Sequence, residues 1–378
     1  MLEITYGMVG GGPGAMIGPA HRKAVQLDGM AFLKAGCFSR TPETSKEFGV
    51  KLGLERARCY NTYIQMAAAE SARKDGIDFV IVVTPNDSHY EICKTFLEAG
   101  IHVVCDKPLV SDERQAKELV ELASRKGLLF MVTYTYTGNV TFKYMRDLIR
   151  QGEIGVIRTV MAEYPQGWLY NETDDGNKQG LWRMDPAHSG RVNCLGDLGT
   201  HVENAVSMAT GLKIRRLLAK MDVVVPGRKL DDNDQILVEY DNGATGMYWT
   251  SQFAIGCDNS LSLRIYGSGG TLLWSQEESE QLILIKEDGI PRIIKRGSLV
   301  IPDSAARYAR MPKGHSEGWL EAMGNLYDSY ISCIQAKKEG CFTPDMIDYP
   351  TAEDGLYGIQ FIEACLKSQK NNSTWVEL

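Results

Sequence analysis

Several classes of protein are excluded by what this sequence lacks. No apolar run approaches the roughly 20 residues needed to cross a bilayer, and no basic segment followed by an apolar core opens the chain, so no secretory signal is expected. The nine cysteines (37, 59, 93, 105, 194, 257, 333, 341 and 365) are odd in number and contain no Cys-x-x-Cys pair. That pattern argues against a disulfide framework or a structural zinc site and for reduced thiols. Positive charge is in deficit: 41 Lys and Arg against 48 Asp and Glu leave a formal net charge of −7. Such a surface has no general affinity for nucleic acid or an anionic membrane, although a local nest of backbone amides still binds phosphate. Internal repeats and low-complexity linkers are also missing. The expectation is a cytoplasmic, metal-free protein whose ligand is a small molecule.

What is present divides in two. A chain of 378 residues is too long for one ordinary core. Up to about residue 135, short apolar runs at 4–9, 32–38, 79–83, 101–105 and 128–133 read as buried parallel strands. Helical patterns at 21–27, 44–52, 63–73, 90–99 and 113–126 separate them. In the last of these Ala116, Leu119, Val120 and Ala123 share one face. This rhythm predicts an α/β domain with a doubly wound Rossmann-type sheet over 1–135. From 136 to 378 the pattern changes to alternating segments at 157–164, 216–225, 235–240, 244–251 and 260–266 with Asp-Asn-Gly and Gly-Ser-Gly-Gly turns. An α+β domain with an open, mostly antiparallel sheet is expected there. Helices near 318–337 and 353–370 are expected to return and pack on one of the domains.

The first strand runs into Gly10-Gly11-Gly12-Pro13-Gly14-Ala15-Met16-Ile17-Gly18. Glycines in such a turn permit positive φ and leave no side chain between the backbone amides and a pyrophosphate. Gly10 and Gly12 fit the first two positions of a dinucleotide fingerprint. Either Ala15 fills the third, or Pro13-Gly14-Ala15 lengthens the turn and Gly18 fills it; His21 favours the longer turn. Where an acidic residue would hold the adenosine ribose, the chain has Ser39-Arg40, which tilts slightly toward a 2′-phosphate and leaves NAD(H) or NADP(H) open.

Two further strand ends carry Thr84-Pro85-Asn86-Asp87-Ser88-His89 and Cys105-Asp106-Lys107-Pro108, and Asp197-Leu198-Gly199-Thr200-His201 follows much later. A Lys-Pro after a strand is by itself a solvated turn, and an Asp/His pair four residues apart is by itself a helix-surface pair. Taken in order with the glycine turn, the set resembles the Gfo/Idh/MocA family of sugar and cyclitol oxidoreductases. The resemblance implies a Rossmann domain, a second domain with a large open sheet, and a homo-oligomer formed through that sheet. It places Gly10, Gly12, Pro13, Gly14, Ala15, Met16, Ser39, Arg40, Thr84, Pro85, Asn86, Asp106 and Lys107 along the cofactor. Asp106 replaces the family's glutamate. His89 closes the Thr84-Pro85-Asn86 turn and is grouped on the cofactor side, though it and His102 also read as structural histidines.

The implied chemistry suits these residue types. Moving a hydride from a secondary carbinol requires the hydroxyl to lose a proton as the C–H bond breaks. An imidazole with an ordinary pKa near 6.5 is suited to take it, and an ammonium group stabilises developing alkoxide charge. His201 is therefore the expected general base, Lys107 its hydroxyl-polarising partner and Asp197 a substrate anchor or histidine orienter; Lys107 as terminal base stays open. On a helix Asp197 and His201 share a face, beside a packed stripe of Leu198, Val202, Ala205 and Ala209.

Tyr134, Tyr136, Gln166, Trp168, Lys178, Trp182 and Arg183 join Asp197 and His201 as substrate-side candidates. They mix aromatic faces with amide and cationic donors, as a pyranose ring requires. His188, His315 and Trp319 are weaker candidates. The expected reaction is NAD(P)-dependent oxidation of a ring secondary hydroxyl of a sugar or glycoside, with C3 of a glucoside as a refinement. An inositol or cyclitol dehydrogenase, a glycosidase working by internal redox and elimination, and a non-catalytic sugar or nucleotide sensor are the alternatives.

Overall fold

The computed structural model describes residues 3–171 and 185–378, apart from the side chains of residues 187 and 188. The chain divides into two compact units that interleave along the sequence. The first is Met1–Thr135 with Leu320–Leu356, and the second is Tyr136–Trp319 with Tyr357–Leu378.

In the first unit, β1 (Ile4–Gly10), α1 (Ile17–Gln26), β2 (Ala31–Cys37), α2 (Pro42–Lys51), α3 (Tyr63–Ser71), β3 (Phe79–Val83), α4 (His89–Glu98), β4 (His102–Cys105), α5 (Glu113–Lys126) and β5 (Phe130–Val132) alternate. The strands form a parallel sheet in the order β2-β1-β3-β4-β5. The five residues of β3, Phe-Val-Ile-Val-Val, are all buried, as a parallel strand covered on both faces must be. Asp112 caps α5 by accepting the Gln115 N–H at 3.0 Å, and Gly127 ends it in the left-handed region. Ala116, Leu119 and Ala123 are buried in α5 and Leu122 joins them, while Val120 is half-buried.

Residues far downstream complete this core. Tyr330 donates from its hydroxyl to the carbonyls of Val103 and Leu129 at 3.0 and 3.2 Å. The Val132 N–H donates to the Pro350 carbonyl at 2.9 Å, and the Tyr327 hydroxyl lies 2.6 Å from His21 Nδ1.

The second unit opens with α6 (Val140–Arg150), which the sequence pattern did not predict. Its residues 140–148 are all buried, Lys143, Arg146 and Asp147 included, although their spacing would suit a wet helix face. A nine-stranded sheet follows, built from β6 (Ile157–Pro165), β7 (Ile214–Asp222), β8 (Asn233–Tyr240), β9 (Thr245–Ser251), β10 (Ser262–Gly267), β11 (Gly270–Ser275), β12 (Gln281–Lys286), β13 (Pro291–Lys295) and β14 (Val376–Glu377). Its order is β13-β12-β11-β10-β6-β9-β8-β7-β14. The ladders are antiparallel except β6–β9, which run parallel, so the sheet is mixed and the expected meander is interrupted at its centre. Along β8, Ile236, Val238 and Tyr240 face the core while Gln235 and Leu237 face outward. On the inner face, α6 and α7 (Thr200–Thr210) pack together and α7 lies on β6. Two long helices, α8 (Trp319–Glu339) and α9 (Ala352–Lys370), each contribute residues to both units. The nine cysteines are free thiols, and among the described residues no helix is long and apolar enough to cross a membrane.

Candidate active site

Two sets of candidate residues stand out, one in each unit. In the first, the turns after β1, β2, β3 and β4 lie at the carboxyl end of the parallel sheet, where ligands of such sheets bind. Gly10 has φ +86, and a Cβ there would lie 2.6 Å from the Val83 carbonyl oxygen. A Cβ on Gly12 would lie 2.3 Å from the Phe38 carbonyl oxygen. Gly18, in the first turn of α1, presses on Gly11: its Cβ would stand 2.4 Å from the Gly11 Cα. Gly18 thus performs the close helix–strand packing of a third fingerprint glycine, and Pro13-Gly14-Ala15 is an inserted turn closed by an Ala15 N–H bond to the Gly12 carbonyl at 3.1 Å. Arg22 braces it from below, donating to the Gly11 carbonyl at 3.0 Å. This side-chain-free cradle fits a dinucleotide pyrophosphate.

The neighbouring turns are tied together. His89 is fully buried, with Nε2 2.9 Å from the Thr84 carbonyl and Nδ1 3.0 and 3.2 Å from the carbonyls of Pro108 and Leu109. Its ring therefore ties the β3 and β4 turns together, the structural role that the sequence also allowed. One oxygen of Asp106 accepts the Lys107 N–H at 2.9 Å and the Thr133 hydroxyl at 3.1 Å, bracing the Lys107 turn. Ser39 accepts the Thr41 N–H at 3.1 Å, and Arg40 is exposed beside it. His102 is structural. Its Nδ1 accepts the Leu129 N–H at 3.0 Å, and burial, aided by Lys337 and Lys338, pushes its pKa down to about 4. Tyr134 is buried in this unit.

In the second unit the sequence reads a regular helix through Asp197 and His201, but the backbone differs. Leu195–Gly199 form a π-helical turn that runs directly into α7. Such wide turns recur at functional sites. Here it carries Asp197, and His201 follows in the first turn of α7. Leu198, Val202, Ala205 and Ala209 are buried as one stripe.

The His201 ring is only 7% exposed. It meets two tyrosines edge-on, with centroids 4.9 Å from Tyr136 and 5.8 Å from Tyr164. The two phenols hydrogen bond to each other. Asn259 donates to Tyr136 at 3.0 Å and accepts from Tyr164 and, at 2.8 Å, from the Gln166 amide. Gln166 in turn accepts the Trp168 indole N–H at 2.8 Å, leaving that ring 39% exposed. The Trp319 indole also bonds Tyr136. Burial raises both phenol pKa values, and the Asp197 charge adds to this, so the hydroxyls stay neutral donors and acceptors. Asp197 itself accepts from the Gln252 amide at 3.4 Å, and Gln252 accepts from Asn193 at 2.6 Å.

The structure thus gathers Tyr136, Gln166, Trp168, Asp197 and His201 into one network. Lys178, Trp182 and Arg183 lie outside the described residues, as does the side chain of His188. His315 is exposed. Sequence reasoning missed Asn259, Gln252 and Asn193. They sit singly at strand ends and in a loop, and only the position of Gln252 directly after the β9 pattern marked it.

Comparison with known proteins matches residues 4–134 to the oxidoreductase family GFO_IDH_MocA with its NAD-binding Rossmann fold, and residues 142–273 to the GFO/IDH/MocA C-terminal domain. An uncharacterized oxidoreductase of Bacillus subtilis, YfiI, is 38% identical over 99% of this chain and 96% of its own length. The chain belongs to the Gfo/Idh/MocA oxidoreductases. Among solved structures of the family, an inositol dehydrogenase homolog from Azotobacter vinelandii complexed with NAD+ covers 100% of this chain and 97% of its own, with 34% identity and a TM-score of 0.95. Levoglucosan dehydrogenase of Pseudarthrobacter phenanthrenivorans is 26% identical over 75% of this chain and 76% of its own length. The first unit therefore holds the NAD-binding Rossmann domain of a Gfo/Idh/MocA oxidoreductase.

Proposed function

We propose that this enzyme oxidises a ring secondary hydroxyl of a cyclic polyol, a sugar, glycoside or inositol, using NAD+. The observation that carries this reading is the surround of His201: a buried imidazole edge-on to two neutral phenols, with a carboxylate on the preceding turn and side-chain amides about them. Such a set of donors and acceptors suits a ring bearing several hydroxyls, and the half-exposed Trp168 offers a face to its C–H side. When bound, the nicotinamide supplies the hydride acceptor. His201 takes the hydroxyl proton at an imidazole nitrogen, Lys107 polarises the same oxygen, and Asp197 anchors a neighbouring hydroxyl or orients the histidine. Tyr136 and Tyr164 fix the imidazole plane.

Two relatives bear on the substrate. The Azotobacter vinelandii homolog has also been solved with NADH and myo-inositol, which favours a cyclitol. The levoglucosan dehydrogenase favours a sugar with an intact acetal and, with Trp168, keeps C3 oxidation of a glucoside in view. A panel of myo-inositol, levoglucosan and aryl glucosides, followed by formation of NADH from NAD+ and of NADPH from NADP+ in parallel, tests the reading. Aglycone release without net NADH would replace it with an internal redox glycosidase. Cofactor binding with no turnover of any ring polyol would replace it with a sensor. In the same assay His201→Ala is expected to keep NAD+ affinity while kcat falls by about two orders of magnitude or more; near-normal turnover would remove the histidine from its role.

We also propose that the outer face of the nine-stranded sheet is where copies of the chain associate. Leu237 and Met247 stand 44% and 41% exposed there beside half-buried Met161 and Trp249. Light scattering on the wild type and on Leu237→Glu/Met247→Glu tests this; a wild-type monomer would refute it.

A further inference from the structure

Behind the π turn lies a cluster that the reaction does not use. Cys194 at its head, Asp231 just before β8 and Asp234 within it are buried, and their sulfur and carboxylate oxygens lie within 4.8 Å of one another. Asp231 grips the chain entering the turn. One carboxylate oxygen accepts the Asn193 N–H at 2.7 Å and the other accepts the Leu195 N–H at 2.6 Å, while its own carbonyl accepts the Cys194 N–H at 3.2 Å. Asp234 accepts the Thr250 hydroxyl at 2.9 Å, and its second oxygen has no partner outside the cluster. From Asn193 the path continues through Gln252 to Asp197.

Two ionised carboxylates cannot share such a space without a counter-charge. The Arg228 guanidinium is committed to Asp232, at 3.3 Å, with both side chains buried. Among the described residues the other titratable neighbours are the thiols of Cys194 and Cys365, both held neutral by burial and by these carboxylates. A divalent cation would compete for oxygens that already accept two backbone N–H bonds. The group that satisfies the cluster is a proton.

We infer that Asp231 and Asp234 hold one proton between them, Asp234 as the acid and Asp231 as the ionised acceptor, and that this pair is the positioning element of the turn presenting Asp197 and His201. The assignment of partners follows from their surroundings. Burial raises both groups, but the N–H donors of Leu195 and Asn193 pull Asp231 back down, while the Asp231 charge drives Asp234 further up. The effect on turnover rests on the catalytic reading of Asp197 and His201; the protonation state does not.

Difference infrared spectroscopy of the intact enzyme at mildly alkaline pH tests the proton directly. A protonated-carboxyl carbonyl band is expected in the wild type and is expected to vanish in Asp234→Asn. Absence of that band overturns the inference, as does one equivalent of zinc or another divalent metal per chain by plasma mass spectrometry. The kinetic arm uses rescue. Asp234→Ala is expected to lower kcat/KM about tenfold with NAD+ affinity unchanged, and Asp234→Asn, which still donates to Asp231, to restore it. Asp231→Asn is isosteric but turns a donor toward a backbone N–H, so it is expected to lose about tenfold. Equal losses in Asp231→Asn and Asp234→Asn would reduce the pair to packing and overturn the role. If no ring polyol is turned over by the wild type, the infrared and metal measurements decide the inference alone.

Discussion

Substituting Gly18 by alanine isolates one steric contact in the nucleotide turn. Gly18 lies in α1 and its φ is not positive, so alanine meets no backbone strain and gains about 1 kcal/mol of helix propensity. Against that, the new methyl would sit 2.4 Å from the Gly11 Cα and 3.0 Å from its oxygen, where ordinary contact begins at 3.4 Å. Helix and turn must separate by about 1 Å, and overpacking of this kind costs about 1–3 kcal/mol. Gly11 has little room to retreat, since a Cβ on it would already touch Met8 Sδ at 3.0 Å, and Arg22 holds its carbonyl. A net loss of up to about 2 kcal/mol is expected in stability, and a displaced turn is expected to weaken NAD+ binding about tenfold, equivalent to about 1.4 kcal/mol. Calorimetric titration with NAD+ and a thermal melt read the two effects. Gly14→Ala is the control. It has φ +77 and nothing within 4 Å, so alanine there adds only about 1 kcal/mol of backbone strain. Ala15→Gly should leave binding unchanged. Wild-type affinity and a raised melting temperature in Gly18→Ala, or a loss of affinity in Ala15→Gly, would refute the packing argument.

Two further outcomes concern stability. His102 has its pKa lowered from 6.5 to about 4, so below 6.5 the unfolded chain takes up a proton that the folded one refuses. Stability is therefore lost as pH falls from about 6.5 toward 4, by up to about 3 kcal/mol; His102→Asn, which keeps an acceptor for Leu129, should flatten that part of a urea-unfolding pH series, and an unchanged slope would count against it. Arg58 and Glu70 form a buried ion pair, with Nε 3.1 Å from one oxygen. Arg58→Met strands the carboxylate with only the Tyr60 hydroxyl and the Ile77 N–H and should cost about 3–5 kcal/mol in urea unfolding. A midpoint matching the wild type would show the pair to be dispensable.

The Rossmann strands were legible because burial on both faces forces unbroken apolar runs such as Phe79 to Val83, and α5 because one face stays wet. Elements that break those rules were not. Buried over residues 140–148, α6 keeps Lys143 over the Tyr308 ring at 4.4 Å and Asp147 as acceptor of the Ser304 hydroxyl, so polar residues that look solvent-facing in the sequence lie inside. The parallel meeting of β6 and β9 depends on strands more than 80 residues apart. The glycine spacing left Ala15 and Gly18 as rivals until the backbone distance was known. Asp197 and His201 were visible as a spaced pair, but the π turn was not. The chain entering it is held by Asp231 reaching back to the amides of Asn193 and Leu195, long-range bonds that no local periodicity records.

The interleaved path of the chain sets a clock on its synthesis. β5 ends at Val132, yet the side chain that caps the Val103 and Leu129 carbonyls comes from Tyr330, and the carbonyl that pairs with the Val132 N–H comes from Pro350. At roughly 5–20 residues per second, about 10–40 s separate the emergence of β5 from that of Pro350. Throughout that interval the nucleotide-binding half exposes the β4–β5 edge of its sheet to whatever else is nearby. The whole of Tyr136–Trp319 has left the ribosome before that edge is closed. The first domain written in the sequence thus waits for Leu356 to complete its core, and the second waits longer still, for Tyr357–Leu378.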